Sequence, residues 1–205
     1  GMDWVNLWNV QATNFDLLAQ LPGLNGMDAG NSGFDQAAFD AFDGHKRMEH
    51  FNVADSNMGT DLSVAANIPN LWRLHLQDGD ENKVYDLSPL MNRTVLREIG
   101  LNRSQFADFS QLNHFTIMHS LDVNGNLTQD DIDIIANQTE LERLGVGHGT
   151  GVTDAAIEQW AQSLNNLRNV SWDGTELTGG VMAHMSAFPE MDALSFSGSS
   201  NMNSI

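Results

Sequence analysis

The sequence contains no cysteine, few basic residues and no long apolar run. The absence of cysteine excludes disulfides, thiolate zinc sites and cysteine nucleophiles. The 205 residues include 9 lysine and arginine residues against 27 aspartate and glutamate residues, so the formal net charge is -18. Nucleic acids and anionic membranes are therefore disfavoured partners, because phosphate binding needs clustered cations. No stretch reaches the ~18 consecutive apolar residues of a membrane span, and a hydrophobic content of 41% is typical of a folded globular chain.

An apolar-x-x-apolar-x-apolar unit recurs nine times along the chain. The copies are Val5-Trp8-Val10, Leu24-Met27-Ala29, Met48-Phe51-Val53, Leu71-Leu74-Leu76, Leu96-Ile99-Leu101, Leu112-Phe115-Ile117, Leu141-Leu144-Val146, Leu167-Val170-Trp172 and Met191-Leu194-Phe196. Three residues beyond each copy, seven of the nine positions carry serine or threonine, although this column was not used to define the unit. Self-similarity at a nearly fixed period predicts a repeat architecture.

The unit resembles that of leucine-rich repeat proteins, L-x-x-L-x-L-x-x-N, with serine or threonine in place of the asparagine. Its mean step of about 23 residues lies in the range of that family. The resemblance implies an α/β fold, a right-handed leucine-rich repeat solenoid with one curved parallel β-sheet of about nine short strands. Helices and irregular turns would lie on the convex side. An ordinary α/β domain with alternating strands and helices is the alternative.

The array extends from Val5 to near Ser197 with no separate caps. We therefore expect residues 1–205 to form a single leucine-rich repeat domain of about nine repeats that is a segment of a larger protein.

The connections between units differ in type. Helix N-cap signals precede apolar helical patterns at Thr128, Thr153 and Thr178, as in ribonuclease-inhibitor-like repeats. The segments 86–90 and 108–112 resemble the D-[IL]-x-P-L turn of internalin-like repeats, which favours a tight non-helical return. The step of 16 residues before Ile117 is too short for a helix plus a strand, so we expect an extended crossing there, followed by a long step of 29 residues.

Residues 120–131 align with the twelve-residue calcium loop of an EF-hand. Asp122 and Asn124 would stand at loop positions 3 and 5, and Asp131 would supply the closing carboxylate. Position 1 is serine rather than aspartate, and the preceding segment has the pattern of a strand rather than of an entering helix. The alternative is an Asn-Gly turn that leads into a helix capped by Thr128, with Asp131 in its capping box. The loop pattern thus predicts calcium as the metal at Asp122, Asn124 and Asp131, and no other cofactor is implied.

No catalytic motif is recognisable in the sequence. The glycine-rich run 145–151 lacks the Gly-Lys-Ser/Thr of a phosphate-binding loop, and neither G-x-S-x-G nor H-E-x-x-H occurs. The sequence therefore does not predict an enzyme.

The outward residues of the predicted strands define the surface on which a partner would bind. Counted over four positions per repeat, this surface holds eight of the sixteen lysine, arginine and histidine residues, against about three for an even spread. We predict partner contacts in its middle, at Arg73, His75, Glu98, Arg103, His114, Met118, His119 and Arg143. The histidines predicted to gain charge near pH 6 are His50, His75, His114, His119 and His148.

These patterns predict a non-catalytic protein- or glycan-binding module, which uses the sheet face for adhesion or partner interaction and accepts a polar or anionic group there. Two lysines, no cysteine and many Asn, Asp, Gly and Ser residues suit a secreted or cell-surface protein. The resemblance to internalin-like repeats implies a bacterial one. An intracellular adaptor is the alternative location. The alternative functions are a structural spacer or assembly element of a larger surface protein and, third, a hydrolase.

Overall fold

The strands form one parallel sheet in the order of the sequence. A computed structural model describes residues 1–80, 83–102, 105–147 and 150–198. The strands in these ranges are β1 (Trp4–Asn6), β2 (Gly26–Asp28), β3 (His50–Asn52), β4 (Arg73–His75), β5 (Glu98–Asn102), β6 (Ser120–Asn124), β7 (Arg143–Gly147), β8 (Asn169–Asp173) and β9 (Ala193–Ser195). The nine parallel strands confirm the predicted leucine-rich repeat fold.

Short helices return the chain from one strand to the next. In the described residues the α-helices are α1 (Gln36–Asp40), α2 (Ser63–Asn67), α3 (Gln129–Ala136) and α4 (Asp154–Ala161). The 3₁₀ helices are Phe15–Gln20, Ser88–Leu90, Phe109–His114, Gly179–Ala183 and Met185–Ala187. None of these helices has the length and apolarity that a membrane crossing requires.

The predicted threonine caps are all present. The side chains of Thr128 and Thr153 accept hydrogen bonds from backbone N–H groups in the first turns of α3 and α4, which confirms both helices. Thr178 also caps a helix, and its Oγ1 accepts a hydrogen bond from Gly180 N at 3.1 Å. That third helix is 3₁₀ rather than α, in keeping with the two glycines in its first turn, which disfavour an α-helix.

The returns predicted to be non-helical contain a turn of 3₁₀ helix, so that detail is wrong. In the first return, Asp86 Oδ1 accepts a hydrogen bond from Ser88 N at 2.9 Å, and the helix Ser88–Leu90 begins there. Pro89 lies in the first turn, where its missing N–H costs no helical hydrogen bond. A 3₁₀ helix rises about 2 Å per residue, so it completes the return with few residues.

The sixth unit was predicted in the wrong register. Leu121 in β6 pairs with Leu144 in β7, so the sixth unit is Met118-Leu121-Val123. The steps on either side of it are then 22 and 23 residues, in place of 16 and 29. The expected extended crossing is not there, because the 3₁₀ helix Phe109–His114 occupies that segment.

The error has a physical cause. Leu112 and Phe115 are buried, with exposed fractions of 1% and 2%, because they line the core from the return. Their spacing of three residues matches the first two apolar positions of the unit. Burial alone therefore does not distinguish a return from a strand.

The first unit was also displaced, by three residues. Val5 in β1 pairs with Met27 in β2, so the first unit is Met2-Val5-Leu7. Trp8, which was assigned to the core, is 49% exposed. It follows the strand on its outward side.

In the repeats whose register is correct, the described serine and threonine side chains of the hydroxyl column hydrogen-bond to backbone carbonyls. Ser32 Oγ and Ser56 Oγ donate to the carbonyls of Ala29 and Val53, at 2.5 and 2.6 Å. Thr175 Oγ1 likewise donates to the carbonyl three residues before it, at 3.1 Å. These bonds satisfy buried backbone oxygens at the ends of strands. The corrected register removes Thr13 and Ser120 from the column, whereas Ser104 and Ser199 lie outside the described residues.

Two compact units make up the chain. Unit 1 comprises residues 1–101 and 105–108, and unit 2 comprises residues 102–104 and 109–205. In unit 1, the Phe51 ring lies 5.2 and 5.0 Å from the rings of Phe39 and Phe42. In unit 2, Trp160 and Trp172 pack with ring centroids 6.1 Å apart. The single domain of residues 1–205 stays a prediction.

We expect the replacement Asp131→Ala to lower the free energy of unfolding by about 1–2 kcal/mol. The buried Asp131 carboxylate accepts hydrogen bonds from Thr128 N and Thr128 Oγ1, both at 2.9 Å, and closes the capping box of α3. Asp130→Ala is the matched control, because this neighbour lies in the same helical turn, is exposed and should change stability by only about 0.5 kcal/mol. Urea unfolding followed by circular dichroism measures both. Equal losses would refute the capping role.

Candidate functional site

With the register corrected, the outward side chains of the strands can be assigned in each unit. The sheet face of unit 1 contains the strand residues Trp4, Asn6, Gly26, Asp28, His50, Asn52, Arg73, His75, Glu98 and Gly100. Trp8 and Gly30 follow β1 and β2 on the same side and are included in this face. The sheet face of unit 2 consists of Ser120, Asp122, Asn124, Arg143, Gly145, Gly147, Asn169, Ser171, Asp173, Ala193 and Ser195. Outward residues alternate with the buried apolar residues of each strand.

Three of the predicted contact residues meet on the sheet face of unit 1. Arg73 Nε lies 2.8 Å and His75 Nε2 lies 2.9 Å from the same atom, Glu98 Oε1. The His75 ring lies against Gly100, where a Cβ atom would meet it at 3.2 Å. Arg73 is thus engaged by a carboxylate of its own chain, and this weakens the prediction that it receives an acidic group of a partner.

His50 lies beside this cluster and is buried, with an exposed fraction of 9%. Its ring packs edge-on against Trp4 at 4.7 Å and lies 6.3 Å from the ring of Trp72. Burial and the positive charge of Arg73 lower the pKa of His50 to about 4, with a smaller lowering by His75 and an opposing contribution from Glu98. The prediction that His50 gains charge near pH 6 is therefore wrong.

The shifted register removes three predicted contact residues from the sheet face. His114 ends the 3₁₀ helix Phe109–His114 and is exposed away from the strands. Met118 is 1% exposed and belongs to the core. His119 precedes β6, and its Nδ1 lies 3.6 Å from Glu142 Oε1. Arg103 and His148 lie outside the described residues.

The residues of the calcium hypothesis lie on different elements. Asp122 and Asn124 belong to the extended strand β6, whereas Asp131 is committed to the capping box of α3. Gly125 follows the strand with φ 110°, as an Asn-Gly turn requires. The structure thus has the arrangement of the alternative interpretation, a turn that leads into a helix capped by Thr128.

The sheet face of unit 2 contains a shallow depression of about 170 Å³. The polar side chains around it are Asp122, Arg143, Asn169 and Ser171. Its floor is Gly145, where a Cβ atom would collide with the Asp122 carboxylate. Arg143 is exposed, and among the described residues it forms no ion pair. The sequence predicted Arg143, but Asp122 was missed as a face residue because of the register error.

Two exposed tryptophans on the sheet face of unit 1 were also missed. Trp4 is 45% exposed, and its six-membered ring occupies the space that a Cβ atom on Gly26 would need. The six-membered ring of Trp8 likewise occupies the space that a Cβ atom on Gly30 would need. A signal was present in the sequence, because a uniform step length aligns each tryptophan with a glycine of the next repeat.

The repeated strand, the parallel sheet and the short helical returns define a leucine-rich repeat fold. The structure is similar to internalin C2 of Listeria monocytogenes, with a TM-score of 0.68, 16% identity, and coverage of 95% of this chain and 80% of that one. It is also similar to an internalin, InlF, of the same species, with a TM-score of 0.59, 17% identity, and coverage of 98% and 65%. At such identities the likeness is one of fold. No family model and no curated protein matches the sequence.

Proposed function

We propose that this chain is a non-catalytic module that binds a partner protein through its sheet face. The observation that carries the proposal is the exposure of Trp4 and Trp8, at 45% and 49%, on that face. Tryptophan is enriched among the residues that dominate the energy of protein interfaces, and burying an indole releases much apolar surface from water. The two tryptophans of unit 2, in contrast, pack in the core.

The depression in unit 2 supports a second contact on the same kind of surface. Arg143 is the cation there, and we propose that it receives an acidic group of the partner. Of the arginines predicted to contact an anionic group of the partner, we retain Arg143 and not Arg73, because Arg73 forms an ion pair with Glu98.

We further propose a secreted or cell-surface setting in a bacterium, with adhesion as the process served. The likeness in fold to two internalins of Listeria monocytogenes supports the bacterial setting. The composition, with two lysines and no cysteine, supports an extracellular one.

The test is binding to arrays of purified extracellular proteins and of glycans, followed by variants. Ser171→Glu places a carboxylate in the depression beside Arg143, where it competes with an acidic group of the partner, and Trp8→Ala removes an exposed ring from the sheet face of unit 1. Ala155→Glu on α4 is the matched control, because it adds the same side chain at an exposed position off the sheet. We expect a protein ligand that loses at least tenfold in affinity with a face variant and is unaffected by the control.

Each other outcome contradicts part of the proposal. Glycan ligands alone would refute the protein partner. Loss of binding only through Ala155→Glu would refute the sheet face as the binding surface. No ligand on either array would favour the structural spacer.

A further inference from the structure

We propose that Trp4, Asp28 and Trp8 form a binding site for arginine side chains of a partner protein. The site deepens the proposed function, on which it rests, and it lies on β1 and β2 within unit 1. Its elements are two indole rings and one carboxylate between them.

The strand geometry brings the three side chains together. Gly26 and Asp28 lie on the outward face of β2, because residues two apart share a face of a sheet. Gly30 follows the strand on the same side, where the chain continues to pair with its neighbour through hydrogen bonds from Ala29 N to Asn52 O and from Asn31 N to Ala54 O. The ring of Trp4 stands above Gly26 and that of Trp8 above Gly30. At ~3.3 Å per residue, the two glycines are about 13 Å apart and Asp28 lies midway between them. The Asp28 carboxylate therefore lies on the surface between the two rings.

The Asp28 carboxylate is not compensated by a neighbouring cation. Its Oδ1 accepts a hydrogen bond from Gly30 N at 3.2 Å, and among the described residues its Oδ2 has no partner. The residues beside it on the neighbouring strands are Asn6 and Asn52. No lysine or arginine occurs in β1, β2 or β3.

Charge and ring chemistry together favour an arginine as the occupant. The face of an indole attracts a cation through its quadrupole, and a carboxylate within reach adds a direct ionic contact. A guanidinium is planar, so it stacks on an indole while its N–H groups bond the carboxylate. The net charge of -18 also attracts a cationic partner to the surface. A neutral sugar would stack on the rings and donate hydroxyl hydrogen bonds to Asp28, but it would leave the charge of the carboxylate uncompensated.

The spacing of the rings specifies a peptide. In an extended chain, side chains four residues apart lie about 13 Å apart on one side, which matches the distance between the two glycines. A segment with arginines at positions i and i+4 can thus place one guanidinium at each ring.

The probe is the peptide acetyl-Arg-Gly-Gly-Gly-Arg-amide, titrated against the whole chain. Its counterpart with citrulline in place of both arginines has the same shape without the charge. Binding is followed by the indole N–H signals of Trp4 and Trp8 in ¹⁵N–¹H spectra, assigned with single Trp→Phe variants. We expect the arginine peptide to shift both signals and to bind at least fivefold more tightly than the citrulline peptide.

The variant Asp28→Asn should weaken binding of the arginine peptide at least fivefold. Asp16→Asn removes the same charge from an exposed position on the 3₁₀ helix Phe15–Gln20 of the same unit, and it should leave binding unchanged. Unchanged dispersion of the remaining signals would show that each variant is folded.

Several results would overturn the proposal. Equal binding of both peptides would show that the charge of the arginines plays no role. Equal weakening by Asp28→Asn and Asp16→Asn would show that the peptide is attracted by the net charge of the protein and not by the Asp28 carboxylate. Shifts caused by a neutral oligosaccharide such as cellotetraose, without shifts caused by the arginine peptide, would indicate a glycan site. The proposed function is tested separately, because the effect of Ser171→Glu on its array ligand is measured in unit 2, outside this site.

Discussion

Replacing Leu144 by alanine is expected to lower the free energy of unfolding by about 2–5 kcal/mol, as deletion of a fully buried leucine side chain does in other cores. Leu144 is the central inward residue of β7 and is 1% exposed. The loss has two parts, the apolar surface that is no longer removed from water and the cavity that remains. Urea unfolding followed by circular dichroism measures it.

Leu194 provides the matched control for this experiment. It is the equivalent central residue of β9, in the same unit, but it is 37% exposed. Because part of its side chain is already in water and no closed cavity forms, Leu194→Ala should cost roughly 1 kcal/mol or less. Equal losses at the two positions would show that burial, as the structure has it, does not determine the contribution of this repeat position.

The repeat unit predicted the fold because its apolar positions are the core of the sheet. Seven of the nine units were placed in the correct register, and their central residues, such as Leu74 and Ile99, are paired across the strands and, except for Leu194, buried. The threonine caps of α3 and α4 were equally readable, since a cap depends on residues only three apart.

The two units that were misplaced show what a local template does not contain. Met118-Leu121-Val123 and Leu112-Phe115-Ile117 both satisfy it, because the return from strand to strand also buries apolar side chains. What distinguishes them is the pairing of β6 with β7, which is a contact between residues 23 positions apart. An even step length between repeats carries that information in the sequence.

The residues of the sheet face could be predicted from the sequence only where the register of the repeat was correct. Arg73, His75 and Glu98 lie in repeats whose register was correct, so their meeting on one surface was predictable from neighbouring strands. The ion pairs that engage Arg73 were not, because they depend on side-chain geometry. The burial of His50 was missed for a further reason: one of the rings that pack against it, Trp4, belongs to the repeat that was displaced.

His50 should make the free energy of unfolding depend on pH between about 4 and 6.5. The folded protein lowers the pKa of His50 to about 4, mainly through burial and then through Arg73, whereas the unfolded chain has the ordinary value near 6.5. In this range the unfolded chain therefore binds a proton that the folded protein does not. The contribution of the neutral His50 to the free energy of unfolding is therefore fully present above pH 6.5, and it is lost progressively as the pH decreases toward 4.

The expected loss from His50 is on the order of 2 kcal/mol between pH 7.5 and pH 5.0, since each unit of pKa difference corresponds to about 1.4 kcal/mol. Among the described residues, His50 Nε2 has no hydrogen-bond partner, so the charged form would be left unsatisfied in the fold. Urea unfolding at the two pH values, with His50→Gln beside the parent chain, isolates the effect. In His50→Gln most of the difference in unfolding free energy between the two pH values should disappear, because glutamine does not titrate. His114→Gln, which removes a histidine from an exposed 3₁₀ helix, should retain it. A parent chain and a His50→Gln variant with the same pH dependence would show that His50 is not held in the neutral form by the fold.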